Sequence, residues 1–185
     1  MIVDELITDR TDDDVTRWEK FRSLGYEKMN VSERNEWIRG MKGAYTPSID
    51  MNRVGRAIRY LVDRLSEIGI SVNAPAKVDW TLEDIPTARQ AAYYTQYVTR
   101  IRDALTMPDD VPTITNGFGN LNYEKANDIE RILVAVSDMI HNVRSNIDLG
   151  WALGTSYTGL YAAAPSLRLM TESGALLVDA RERQP

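Results

Sequence analysis

Three stretches of the chain place hydrophobic residues three and four positions apart, the spacing of one face of an α-helix. The stripes are Val54, Ile58, Leu61, Leu65 and Ile68; Ala91, Tyr94, Val98, Ile101 and Leu105; and Ala126, Ile129, Leu133, Val136, Ile140 and Val143. Packing the three stripes against one another removes them all from water. The pattern therefore predicts a three-helix bundle over residues 47–146.

Shorter elements are predicted before the bundle, in residues 1–46. Thr11 can accept a hydrogen bond from a free amide of a first helix, and the three aspartates that follow favour the positive end of its dipole. Ser32 is placed to cap a second helix. We interpret this region as a short helical hairpin, preceded by an N-terminal strand at residues 2–7.

Residues 147–185 have a different pattern, in which aromatic side chains alternate with glycines and no helical periodicity persists. We interpret them as an extended aromatic arm, followed by a β-hairpin over residues 166–179. An isolated hairpin is marginal in water, so this one is expected to pair with something else. The candidate partner-binding residues are Trp151, Tyr157, Tyr161, Leu167 and Leu169.

The predicted fold class is therefore mainly α, a three-helix bundle core with an N-terminal helical hairpin and a small C-terminal β extension. The composition agrees with one globular unit, since 43% of the 185 residues are hydrophobic and 26% are charged. A net charge of −5 repels phosphate backbones and anionic lipid, so neither a nucleic acid nor a membrane is an expected partner. Four arginines at 53, 56, 59 and 64 have Asp63 and Glu67 interleaved at salt-bridge spacing, which is typical of a solvated helix face.

Candidate chemistry is sparse. The chain has no cysteine, and its single histidine, His141, lies beside Ile140 in the third predicted helix. Metal sites in proteins draw on both residue types, so we expect no metal, no cofactor and no catalytic residue. Glu83 and Asp84 could in principle serve a carboxylate-based hydrolase, which stays the enzyme alternative. Their position before Pro86 favours a capping or turn role.

Several phrases of the sequence resemble a known module. They are Leu-Ile-Thr-Asp-Arg-Thr at 6–11, Gly-Ala-Tyr at 43–45, Asp-Met-Asn-Arg-Val at 50–54, Asp-Trp-Thr-x-Glu-Asp-Ile-Pro-Thr at 79–87, and Leu-x-Tyr-x-x-Ala-Asn-x-Ile-Glu-x-Ile-Leu at 121–133. Together they resemble a helical module of tail, baseplate and related structural proteins from phages and prophages of Gram-positive bacteria. The likeness covers roughly residues 5–145, and the run at 79–87 is its most specific piece.

The resemblance implies a virion structural protein without catalytic residues. Other virion structural proteins and further copies of this chain would be its partners, and it would be assembled in the bacterial cytoplasm. The aromatic residues leave a second interpretation open, in which the arm belongs to a host-surface or carbohydrate-binding adhesion module. Exposed tyrosines at 93 and 97, one helical step apart, are also typical of interfaces.

Overall fold

The computed structural model describes the backbone of residues 2–114, 121–160, 169–170 and 176–178, and the side chains of residues 2–114 and 121–146. The chain is mainly α-helical, as predicted. It divides into two compact units, Met1–Arg144 and Ser145–Pro185. Among the described residues, no helix is both long enough and apolar enough to span a membrane.

The five α-helices of the described residues are α1 (Asp12–Leu24), α2 (Val31–Arg39), α3 (Asn52–Glu67), α4 (Ala88–Asp103) and α5 (Tyr123–Leu160). Short 3-10 turns lie at Ile2–Glu5 and Tyr26–Lys28, and a π-helical turn at Pro47–Met51 leads into α3. Two short strands, β1 (Leu169–Met170) and β2 (Leu176–Val178), pair antiparallel.

Side-chain caps mark the beginnings of four helices. The predicted cap of α1 is confirmed, since Thr11 accepts a hydrogen bond from a backbone amide of the first turn. Thr87 and Asn122 cap α4 and α5 in the same way. The predicted cap of α2 is wrong, because α2 begins after Asn30 and Ser32 lies inside it. The Asn30 side chain accepts from the Glu33 amide while the Glu33 carboxylate accepts from the Asn30 amide, a reciprocal pair that Ser32 lacks.

One buried cluster holds the apolar stripes of α3, α4 and the first part of α5. Its fully buried members from these helices include Val54, Ile58, Leu61, Leu65, Val98, Ile101, Ile132, Leu133 and Val136. The connection between α3 and α4 adds Ala74, Ala76 and Trp80 to the same cluster. Most of the predicted stripe positions therefore face the interior, whereas Ala91 and Val143 are only half-buried. Part of the connection between α3 and α4 packs along the same cluster.

The predicted N-terminal strand is wrong. Residues 2–5 form a 3-10 turn in which the Leu6 amide donates to the Val3 carbonyl, and Val3 is buried in the main cluster. The next free amide, that of Ile7, donates to the Glu130 carboxylate at 2.6 Å. In a strand, these backbone groups would form hydrogen bonds to a neighbouring strand. Here they bond within the turn and to a side chain of α5 instead.

The extended arm is also wrong for its first part, because α5 continues through Leu160. Gly150, Gly154 and Gly159 each cost a helix about 1 kcal/mol relative to alanine. Once a helix is nucleated, however, each further residue adds a hydrogen bond, and Trp, Ala and Leu between the glycines tolerate the helical backbone. The predicted hairpin at 166–179 lies largely outside the described residues, which contain only β1 and β2 of it.

A second, smaller cluster belongs to α1, α2 and the residues around them, which we call the N-terminal helical pair (residues 12–43). Phe21, Met29 and Met41 are buried there, with Trp18 and Trp37 packed against them. The beginning and the end of this segment meet at a close backbone approach. A Cβ on Gly43 would lie 2.0 Å from the Asp14 carbonyl oxygen, so only glycine fits at that position.

Candidate functional site

The predicted partner-binding residues fall in the part of the chain that the structure describes least. Trp151 and Tyr157 lie in the C-terminal part of α5, where only the backbone is described, and Leu169 begins β1. Tyr161 and Leu167 lie outside the described residues. The structure therefore gives no geometry that brings the five side chains together, and their role in binding stays a prediction.

The most elaborate polar arrangement of the described residues is instead a buried ionic cluster of Arg10, Asp50, Arg53 and Glu130. The four side chains carry two positive and two negative charges, and each is at most 8% exposed. The solvated-face prediction is wrong for Arg53, because its side chain lies inside the protein. The other three arginines of that group, at 56, 59 and 64, are exposed or half-buried, as predicted.

Glu130, whose side chain is fully buried, is the centre of the cluster. Its Oε1 accepts from Arg10 Nη2 at 2.6 Å and from Arg53 Nη2 at 2.9 Å. Its Oε2 accepts from Arg53 Nε at 3.2 Å and from the Ile7 amide at 2.6 Å. One carboxylate of α5 thus holds both the N-terminal segment and α3.

Asp50 completes the charge balance from the turn before α3. Its Oδ1 accepts from Arg53 Nη2 at 2.7 Å and lies 3.4 Å from Arg10 Nη2, while its Oδ2 accepts from the Thr46 amide at 2.6 Å. Burial opposes the charged form of Arg53, but the hydrogen bonds and charges of Glu130 and Asp50 outweigh it and raise the pKa of the guanidinium. Arg53 therefore keeps its positive charge at any ordinary pH.

Asn127 and Tyr45 extend the cluster. Asn127 Oδ1 accepts from the Arg10 amide at 3.0 Å and its Nδ2 donates to the Arg10 carbonyl at 2.9 Å, as a neighbouring strand would. The Arg10 guanidinium lies 5.8 Å from the centre of the Tyr45 ring. Burial, together with the negative charges of Glu130 and Asp50, raises the pKa of the Tyr45 hydroxyl, so it stays protonated.

A second polar joint fixes the connection between α3 and α4 at Trp80. The Trp80 amide donates to Asn52 Oδ1 and the Asn52 Nδ2 donates to the Trp80 carbonyl, both at 2.9 Å. The indole Nε1 donates to the Tyr94 hydroxyl at 2.7 Å, and that hydroxyl donates to the Lys77 carbonyl. The connection passes so close to α3 that a Cβ on Gly55 would lie 2.5 Å from the Lys77 carbonyl oxygen.

The six residues that follow Trp80, residues 81–86, form what we call the knob loop. Asp84 Oδ2 accepts from the Thr81 amide at 2.7 Å and from Lys77 Nζ at 3.1 Å, so the predicted turn role of Asp84 is confirmed. These bonds, first the one from Thr81, lower the pKa of Asp84. Leu82 and Ile85 each remain 89% exposed on the resulting turn.

Tyr93 and Tyr97 form the predicted aromatic pair on α4. Their rings stack with centroids 6.1 Å apart and an angle of 13° between the planes. Arg89 covers Tyr93 and Arg100 covers Tyr97, with guanidinium-to-centroid distances of 5.6 and 5.8 Å. The two tyrosines are half-buried and not exposed as predicted, because their rings pack against each other and against the two arginines within the helix.

A cleft of ≈ 440 Å³ opens where the first turn of α1, residues 43–45 and the start of α5 meet. Its apolar and aromatic lining is Val15, Trp18, Ala44, Tyr45, Leu121, Tyr123 and Ala126, and its polar lining is Arg10, Asp12, Gly43 and Asn122. His141 lies elsewhere, exposed on α5. Among the residues that the structure describes, no three His, Cys, Asp or Glu side chains converge as metal ligands would.

Sequence reasoning missed the ionic cluster, although the sequence carries a signal for it. Arg53 precedes Ala57 and Leu61 by four and eight positions, and Glu130 lies between Ala126 and Leu133 at helical spacing. Both charges therefore stand in the apolar stripes themselves. A charge in a stripe of this kind indicates a buried pair, because an unpaired charge there would cost several kcal/mol, on the order of 3–5.

Comparisons of the chain with known proteins found no match. No protein-family model matches the chain, and no curated protein or solved structure does so either.

Proposed function

We propose that the chain is a non-enzymatic structural protein of a phage virion, associated with the tail or baseplate, that docks to neighbouring subunits. One observation supports this most. The phrases that resemble the phage module contain Arg10, Asp50, Arg53 and Glu130, the whole of the ionic cluster, and also Trp80. The residues behind the resemblance thus join segments of the framework to one another, as a load-carrying component of a particle requires.

In this proposal α3, α4 and the first part of α5 form a three-helix bundle that serves as the rigid body. Their stripes share one buried cluster, and the heptad-like spacing suits packing at small crossing angles. The C-terminal residues form a β extension that completes itself on a neighbouring subunit, since β1 and β2 are too short to be stable alone.

Docking is assigned to the C-terminal segment, through Trp151, Tyr157, Tyr161, Leu167 and Leu169. The N-terminal segment is not part of the proposal, because Val3 and Leu6 pack into the main cluster of their own chain. The partners are other virion structural proteins and further copies of this chain, and assembly takes place in the bacterial cytoplasm.

The test is quantitative mass spectrometry of gradient-purified virions from the source strain. We expect the chain in fixed stoichiometry with the major tail proteins, and its absence from purified virions would refute the proposal. The docking role is tested in the full chain with Trp151→Ala and Tyr157→Ala, which should lower incorporation into particles. Tyr26→Ala, a half-exposed aromatic of the N-terminal helical pair, is the matched control and should leave incorporation unchanged.

The same variants separate docking from adhesion. If Trp151→Ala leaves incorporation intact but abolishes binding of particles to an array of cell-wall glycans, the carbohydrate-binding interpretation replaces the docking role of the C-terminal segment.

A further inference from the structure

We draw no further inference here: the strongest candidate, the exposed apolar surface patch of Leu82 and Ile85 on the knob loop, carries nothing because nothing in the structure shows what covers it.

Discussion

The core of the first unit and the N-terminal helical pair use ion pairs of similar length in opposite surroundings. In the core, Arg53 Nη2 lies 2.9 Å from Glu130 Oε1, and both side chains are buried. In the helical pair, Arg17 Nη2 lies 2.7 Å from Glu36 Oε2, with side chains 58% and 36% exposed. Distance alone therefore does not rank these contacts. Water screens the second pair, whereas loss of either partner in the first leaves a charge without solvent.

Removal of the central carboxylate should have the largest effect. Glu130→Ala leaves Arg10 and Arg53 to share Asp50, and breaking a buried pair of this kind costs about 3–5 kcal/mol. The free energy of unfolding, measured by urea denaturation, checks this. Glu36→Ala in the helical pair is the matched control and should cost less than about 1 kcal/mol. Equal losses in the two variants would mean that the core is no drier than the surface.

A substitution that crowds the backbone should cause the next largest loss of stability. Gly55→Ala puts a methyl group 2.5 Å from the Lys77 carbonyl oxygen, so the connection must move away from α3. Overpacking of this kind costs about 1–3 kcal/mol, and the melting temperature should fall accordingly. Ser66→Ala, exposed on the same helix, should change stability by less than about 0.5 kcal/mol. A stable Gly55→Ala variant would show that the connection is not held as tightly as described.

Loss of the first helix cap of the helical pair should lower the stability by less still. Thr11→Ala removes the acceptor of the Asp14 amide, which costs about 1 kcal/mol. Hydrogen exchange should show the loss in α1 while the amides of α3 keep their protection, because the two regions have separate clusters. Equal loss of protection in α3 would indicate that the two regions unfold as one.

Acid should produce the smallest and most local change, at the knob loop. Because the pKa of Asp84 is lowered in the folded chain, its contribution is present above the ordinary value of 3.8 and is lost as the pH falls through the lower folded value. NMR of the Thr81 amide should follow this titration. Asp84→Asn should abolish the pH dependence and weaken the amide's protection at neutral pH, while a matched exposed variant, Asp63→Asn, leaves both unchanged.

Local periodicity was enough to predict the interior of the three long helices. Val54, Ile58, Leu61 and Leu65 repeat within a few residues of one another, so their shared face can be read from the chain itself. The course of the N-terminal segment could not be predicted in this way. It depends on Glu130, which lies 120 positions from Arg10 and 77 from Arg53.

The predicted end of α5 was wrong for a related reason. Glycines at 150, 154 and 159 lower the local preference for a helix. Helix formation is cooperative, however, and the helix that begins at Tyr123 extends through them. Similarly, Ser32 was an acceptable cap by residue type, and Asn30 prevailed through its reciprocal bond with Glu33. The α2 cap and the course of the N-terminal segment thus depend on specific hydrogen bonds, which residue propensity does not reveal.

The position of Glu130 along the chain also bears on how the protein is made. A ribosome releases Arg10, Asp50 and Arg53 long before Glu130, the second carboxylate of the cluster, so the cluster of the nascent chain stays incomplete until then. During that interval Val3 and the stripe of α3 lack part of their final cover. The ionic cluster can close only after Glu130 has left the ribosome, and a pause before that point would prolong the exposure of the incomplete chain to chaperones and proteases.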